Sequence, residues 1–353
     1  MAALDASFWK DRRVLLTGHT GFKGAWTAVW LRRLGARVTG LALPPATIPS
    51  LWEAVSAGLL DDEIVADIED PQASIEAVAR AQPSLVLHMA AQSLVRRSYA
   101  QPVRTFATNV MGSVHLLEAL RGCDSLEAAL IVTTDKVYAN EGLPRDFVEG
   151  DPLGGHDPYS ASKAAAELAT ASYAACFFRD RGIRVATARA GNVIGGGDWS
   201  EDRLIPDVWR AARQGEAVIL RNPEATRPWQ HVLEPLSGYF LYLEALAQAR
   251  SIPNTLNFGP TTGNPVPVAR VAEIMASALG APTAWRKDDG PAPAEMKFLS
   301  LDPSLAIGSL GWRPRLSPEE AVCWSADWYG AFSAGAEPLR LCQAQIERYE
   351  TLP

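Results

Sequence analysis

A short apolar run, Val14–Thr17, passes without a break into Gly18-His19-Thr20-Gly21-Phe22-Lys23-Gly24, and a helical pattern begins in the same stretch. A strand that turns at once into a helix needs a tight bend, a backbone open to close approach, and a helix packed tightly on its strand. Glycine permits all three. The helix start also offers unpaired N–H groups and a positive dipole end, which suit an anion such as a diphosphate. One Gly-rich turn is weak on its own, because ordinary strand-to-helix turns also use glycine.

The context strengthens it. Apolar runs at Val14–Thr17, Arg37–Leu43, Leu85–Ala90, Ala129–Thr134 and Arg184–Arg189 predict buried strands. Helical patterns at Gly24–Leu34, Gln72–Ala81, Val103–Leu120 and Pro158–Arg181 lie between them. Strands alternating with helices imply parallel crossover units and a sheet covered on both faces. The fold class is therefore α/β, a doubly wound parallel (Rossmann-type) sheet. After Arg189 a glycine-rich stretch opens a region dense in Pro, Trp and Arg. It is predicted to hold a helix at Leu204–Gln214, a strand at Ala217–Leu220, a returning helix at Leu236–Gln248 and a strand at Thr255–Phe258. Helices at Pro267–Leu279 and Pro318–Phe332 complete a smaller C-terminal substrate-binding lobe. Residues 1–190, with a return segment at about 230–260, are expected to form a dinucleotide-binding domain. Residues 191–229 and 261–353 are expected to form the lobe.

Composition limits the partners. The net charge of −7 argues against a nucleic-acid surface, which needs clustered Lys and Arg. The 4 cysteines lack metal-ligand spacing and are expected to be reduced thiols. No stretch is apolar for long enough to span a bilayer, so a cytoplasmic protein is expected.

Asp157-Pro158-Tyr159-Ser160-Ala161-Ser162-Lys163 predicts a helix start, with Asp157 as cap and Pro158 in the first turn. Tyr159 and Lys163 then share one helix face. A phenol of pKa ~10 is a poor base at neutral pH. A neighbouring ammonium is expected to stabilise its phenolate, so that it can take a proton from a hydroxyl. The fourth apolar run ends in Thr134-Asp135-Lys136, at the sheet edge where catalytic groups gather.

These features together resemble the extended short-chain dehydrogenase/reductase family. Within it they resemble the CDP-glucose 4,6-dehydratases. The resemblance is carried by Gly18–Gly24, Ala90–Tyr99, Thr134-Asp135-Lys136, Gly154–Tyr159, Ala188–Asp207, Arg221–Tyr239 and Gly311-Trp312-Arg313-Pro314. Val137 departs from a frequent Cys, and Ala294 from a His that often precedes Glu295. The resemblance implies an NAD cofactor, with NADP not excluded. Its contacts would be Gly18, Thr20, Gly21, Phe22, Lys23, Gly24, Asp67, Ile68, Ala90, Ala91, Gln92, Asn109, Tyr159 and Lys163. No acid ends the second strand at Leu41–Pro45, and Lys23 and Arg37 are cations able to tolerate a 2′-phosphate.

The implied reaction converts CDP-glucose to its 4-keto-6-deoxy product. C4 is oxidised, water is lost across C5 and C6, and hydride returns to C6. The resemblance makes Thr134 the hydroxyl group beside Tyr159 and Asp135 the acid at O6. Lys136 takes the place of a Glu base in dTDP-glucose dehydratases, and it could serve as base or stabilise the enolate. Gln92, Arg97, Asn192, Arg203, Leu204, Arg227 and His231 are implied to bind the nucleotide sugar; Trp199 and Trp229 could shape the base site or simply form lobe core. A homodimer joined through Val103–Leu120 and Pro158–Arg181 is also implied. Two other readings are a nucleotide-sugar 4-epimerase, which has no use for Asp135-Lys136, and a redox-sensing binding protein, which has no use for Tyr159 and Lys163.

Overall fold

The computed structural model describes residues 3–140, 142, 145–261, 266–281, 285–288 and 299–353. Ala294 and Glu295 lie outside them. Seven strands form one parallel sheet: β1 Arg13–Thr17, β2 Arg37–Ala42, β3 Asp62–Val65, β4 Leu85–His88, β5 Ala128–Val132, β6 Arg184–Ala190 and β7 Thr255–Phe258. Their order is β7-β6-β5-β4-β1-β2-β3, so the direction of winding reverses between β1 and β4. A ligand crevice opens at such a reversal, beyond the carboxyl ends of the strands.

The apolar runs follow from burial on both faces. Val14 and Leu16 of β1 join one core with α1 (Phe22–Arg33), while Leu15 joins a second core on the opposite face. That second core includes Ala77 of α2 (Pro71–Ala81) and Leu116 of α3 (Gly112–Leu120). The catalytic candidates Tyr159 and Lys163 lie on α4 (Pro158–Tyr173), where Asp157 caps Ser160 N–H at 3.0 Å. Beyond β6 comes α5 (Leu204–Gln214), after which α6 (Leu233–Ala247) returns to the sheet and is buried along nearly its whole length. Then follow α7 (Val268–Ala278), α8 (Pro318–Ser333) and α9 (Pro338–Glu350).

The predicted Val103–Leu120 helix is three pieces: Pro102–Phe106, a wide π-type turn at Ala107–Met111, and α3. Pro158–Arg181 similarly loosens after Tyr173 into a π-type turn at Ala174–Phe178 and a tight turn at Arg179–Arg181. Helical periodicity runs on through one inserted residue, which is why a sequence pattern misses such turns. Among the described residues, no helix is long and apolar enough to cross a membrane.

Candidate active site

The glycines of the first turn have different tasks. Gly18 has φ +75°, and a Cβ there would lie 2.7 Å from Ala90 N. A Cβ on Gly24 would lie 2.1 Å from Gly18 O. These two are demanded by the protein's own packing. Gly21 caps α1, and a Cβ there would meet nothing closer than Gly18 O at 3.4 Å. Its bareness therefore faces outward, as a cradle for a diphosphate requires. Thr17 Oγ1 accepts from Met89 N and Ala90 N at 3.1 Å each, locking the ends of β1 and β4 together beneath this loop. Thr20 donates its hydroxyl to Leu43 O at 2.8 Å. His19, to which the sequence argument gave no role, is fully buried, bonded to Glu63 at 2.8 Å and edge-on to Trp52.

At the neighbouring strand tip, Thr134, Asp135, Tyr159 and Lys163 are all buried. Thr134 donates to Asp135 Oδ1 at 2.9 Å, and it also acts on Tyr159, whose pKa it lowers against the effect of burial. Lys136 Nζ donates to the same Asp135 oxygen at 3.5 Å. Asp135 Oδ2 is buried with no hydrogen-bond partner among the described residues. A buried polar oxygen without a partner is costly, so a ligand group is its natural complement. Lys163 Nζ donates to Val132 O at 3.1 Å, and burial pushes its pKa down to about 8.

Tyr159 corrects one expectation. Burial raises its pKa, and the lowering influences are the Thr134 hydroxyl and Arg203 rather than Lys163. The ammonium of Lys23 reaches Tyr239 OH at 3.4 Å. Burial, then Lys163 and Arg203, press its pKa down to about 7, while Asp135 opposes them. Lys23 and Tyr239 thus belong to the catalytic cluster, an arrangement no sequence spacing reveals because they are brought together from distant segments.

Other side chains are engaged within the protein. Asn109 is fully buried, accepts from Gln92 N at 2.9 Å and donates to Ser162 Oγ at 2.9 Å. It therefore ties the Ala90-Ala91-Gln92 stretch to α4. Gln92 donates to Leu94 O and Thr105 Oγ1 at 3.1 and 3.0 Å. Asp67 lies 3.6 Å from Arg104, and Ile68 packs under Gly112. Arg97 is paired with Glu201 at 2.7 Å, linking the first domain to the loop before α5. Arg203 donates to Ser93 O at 3.3 Å and precedes Leu204 at the start of α5. Arg227 lies in a short strand and donates to its neighbour Thr226 O at 2.8 Å. Asn192 Oδ1, like Asp135 Oδ2, is buried without a partner among the described residues.

His231, expected to bind the nucleotide sugar, is enclosed, with Nε2 lacking a hydrogen-bond partner among the described residues. Its ring lies edge-on to Trp26 and Trp324, and burial lowers its pKa to about 3. Trp229 is also core and donates to Val266 O at 3.0 Å; Trp199 packs among Trp209, Trp328 and Phe332. A cavity of about 270 Å³, bordered by Trp30, Trp312 and Tyr349, includes none of the candidate residues.

A parallel sheet with this glycine turn and a Tyr/Lys helix defines a dinucleotide-dependent oxidoreductase-type fold. Residues 14–259 match the NAD dependent epimerase/dehydratase family, and the chain belongs to it. The chain is 42% identical to the CDP-glucose 4,6-dehydratase of Salmonella typhimurium, over 98% of each chain. It is 28% identical to a dTDP-glucose 4,6-dehydratase of Xanthomonas campestris, over 89% of this chain and 92% of that one. Among solved structures, the Thermus thermophilus UDP-glucose 4-epimerase complexed with NAD superposes with a TM-score of 0.77. It is 26% identical, covering 90% of this chain and 98% of that one.

Proposed function

We propose that this chain is an NAD-dependent CDP-glucose 4,6-dehydratase, acting as a homodimer. The observation that carries the reading is Asp135, a buried carboxyl beside Thr134 and Tyr159 whose second oxygen has no partner. Interconversion at C4 alone needs only Thr134, Tyr159 and Lys163. An acid at this point serves elimination, which favours a dehydratase over an epimerase. The 42% identity over 98% of both chains supports CDP-glucose as the substrate.

The residues fit the cofactor, since Gly21 leaves its backbone bare above the α1 N-terminus. NAD, when bound, supplies the acceptor for hydride from C4 and its later return to C6. Tyr159 takes the proton of the C4 hydroxyl, and Thr134 holds that oxygen. Asp135 delivers a proton to O6 so that it departs as water. Loss of the C5 proton to a base leaves an enolate, which Lys136, a donor to Asp135, serves either to generate as that base or to stabilise by its charge. Lys163 holds the strand tip through Val132 O.

The helices at Pro102–Leu120 and α4 support a dimer face. Val103 is 82% exposed and Leu168 62%, and Tyr99, Met111 and Phe177 are exposed as well. Large exposed apolar side chains on helices that touch one another support such a surface.

The test is incubation with CDP-, dTDP-, GDP- and UDP-glucose in parallel. The product is followed by the ultraviolet absorbance that 4-keto-6-deoxy sugars develop in alkali. The reading expects CDP-glucose to give the strongest signal. Recovery of CDP-galactose without that absorbance would establish an epimerase instead.

A further inference from the structure

Both flanks of the short turn carrying Asp135 and Lys136 end on one buried ion pair. On the near side, Thr133 Oγ1 donates to Glu167 at 2.5 Å. On the far side, Tyr138 OH accepts from Arg189 Nη1 at 2.7 Å and donates to Asn257 Oδ1 at 2.7 Å. Arg189 Nε donates to both carboxylate oxygens of Glu167, at 2.8 and 3.0 Å, and Nη2 donates to the same carboxylate. Arg189 Nη1 also reaches Glu149 O at 3.2 Å. Both charged side chains are 4% exposed.

Glu167 stands four residues beyond Lys163, on the same face of the helix that begins with Tyr159. The pair therefore joins three elements: the helix bearing the phenol, the strand tip bearing the acid, and β6, where Arg189 resides. A buried ion pair is a poor source of net stability, because desolvating both charges offsets their attraction. It is, however, highly directional. The planar guanidinium fixes a carboxylate by its fork and a phenol by its remaining edge. Tyr138 is held further by Phe147, stacked at 4.8 Å, and by Arg189 itself, 4.7 Å from the ring centroid. Little freedom is left to the turn between Thr133 and Tyr138.

We propose that Glu167 and Arg189 are positioning residues for water loss: through Thr133 and Tyr138 they clamp the Asp135–Val137 turn to α4. The clamp fixes the distance between the acid at O6 and the phenol at O4. The proposal rests on the dehydratase reading. A loosened clamp leaves Tyr159 and Lys163 on their helix and keeps the backbone bond from Thr133 N to Ala188 O at 2.8 Å, which seats Thr134, so C4 oxidation continues. It lets Asp135 drift, so elimination slows.

The experiment uses Thr133→Val, which keeps the shape and the ion pair but removes one link, beside Thr133→Ser, which restores the hydroxyl. Single-turnover absorbance of the reduced nicotinamide separates C4 oxidation from its later consumption. For Thr133→Val we expect oxidation within about threefold of wild type and elimination slower by about ten- to a hundredfold. Bound reduced cofactor should accumulate, KM should change little, and Thr133→Ser should recover most of the rate. Tyr138→Phe cuts the other link and gives the same split if Thr133→Val is poorly folded. Equal loss of both steps, or no loss in either, overturns the clamp. The wild-type control distinguishes the two failures. A wild type that makes no 4-keto-6-deoxy product refutes the dehydratase reading, whereas an active wild type with an unaffected Thr133→Val refutes the clamp.

Discussion

Replacing Asp135 by Asn removes a proton donor while leaving its surroundings nearly intact. The residue is 1% exposed; Oδ1 accepts from Thr134 at 2.9 Å and from Lys136 at 3.5 Å. The carboxamide oxygen can keep the Thr134 bond, and the new NH2 takes the place of Oδ2, which has no partner to lose. Lys136 is 21% exposed, so solvent screens much of the lost ion-pair attraction. Folding stability should therefore change by about 1 kcal/mol or less. The effect falls on chemistry. A positioned general acid contributes ~10²–10⁴-fold, which corresponds to about 3–5 kcal/mol of barrier. C4 oxidation depends on Tyr159, so the variant should oxidise its substrate and then stall. The assay is near-ultraviolet absorbance of the enzyme mixed with CDP-glucose. Reduced nicotinamide should rise toward one equivalent per active site while product forms slowly. Tyr159→Phe should show neither signal yet still bind both ligands. Turnover of Asp135→Asn within tenfold of wild type, or lost turnover with no reduced cofactor, refutes the role given to Asp135.

The first turn provides a contrast. Gly24→Ala should destabilise the protein by about 3 kcal/mol or more, read from the urea midpoint, because its Cβ would overlap Gly18 O. Gly21→Ala should leave that midpoint within about 0.5 kcal/mol while weakening NAD roughly tenfold by calorimetry. Val103→Asp with Leu168→Asp should convert the proposed dimer to monomer in light scattering, since both side chains are exposed. Lys23 predicts a pH dependence. It loses its proton near pH 7 in the folded protein but only at ~10.4 when unfolded, so the unfolded chain holds the extra proton in between. Stability of the cofactor-free protein should rise with pH across that window. Lys163, at about 8, acts in the same direction. Lys23→Met should flatten the part of the slope just above pH 7, measured by urea unfolding at several pH values.

Much of this molecule is written locally. β7 occupies the residues the pattern assigned to it, and the strand-turn-helix at Val14–Arg33 follows from its glycines. α4 begins where Asp157-Pro158 directs it. What the sequence hides depends on contacts between distant segments. His231 sits in the polar-looking stretch Arg227-Pro228-Trp229-Gln230-His231, and only the closure of Trp26 and Trp324 makes it core. Lys23 could not be aimed at Tyr239 without the return of α6. α9 was overlooked because it buries only Cys342, Ile346 and Tyr349, although Glu337 caps it and Pro338 opens it. Glu167 carried a faint signal: an acid one turn past Lys163, on a face that the pattern places inward.

The chain leaves the sheet after β6, runs through α5, and comes back to lay α6 and β7 against the strands it left. The sheet therefore draws on two stretches of sequence, since without β7 the strand β6 would be its bare edge. A block cut from between them could be exchanged only if both of its ends still met the sheet in register.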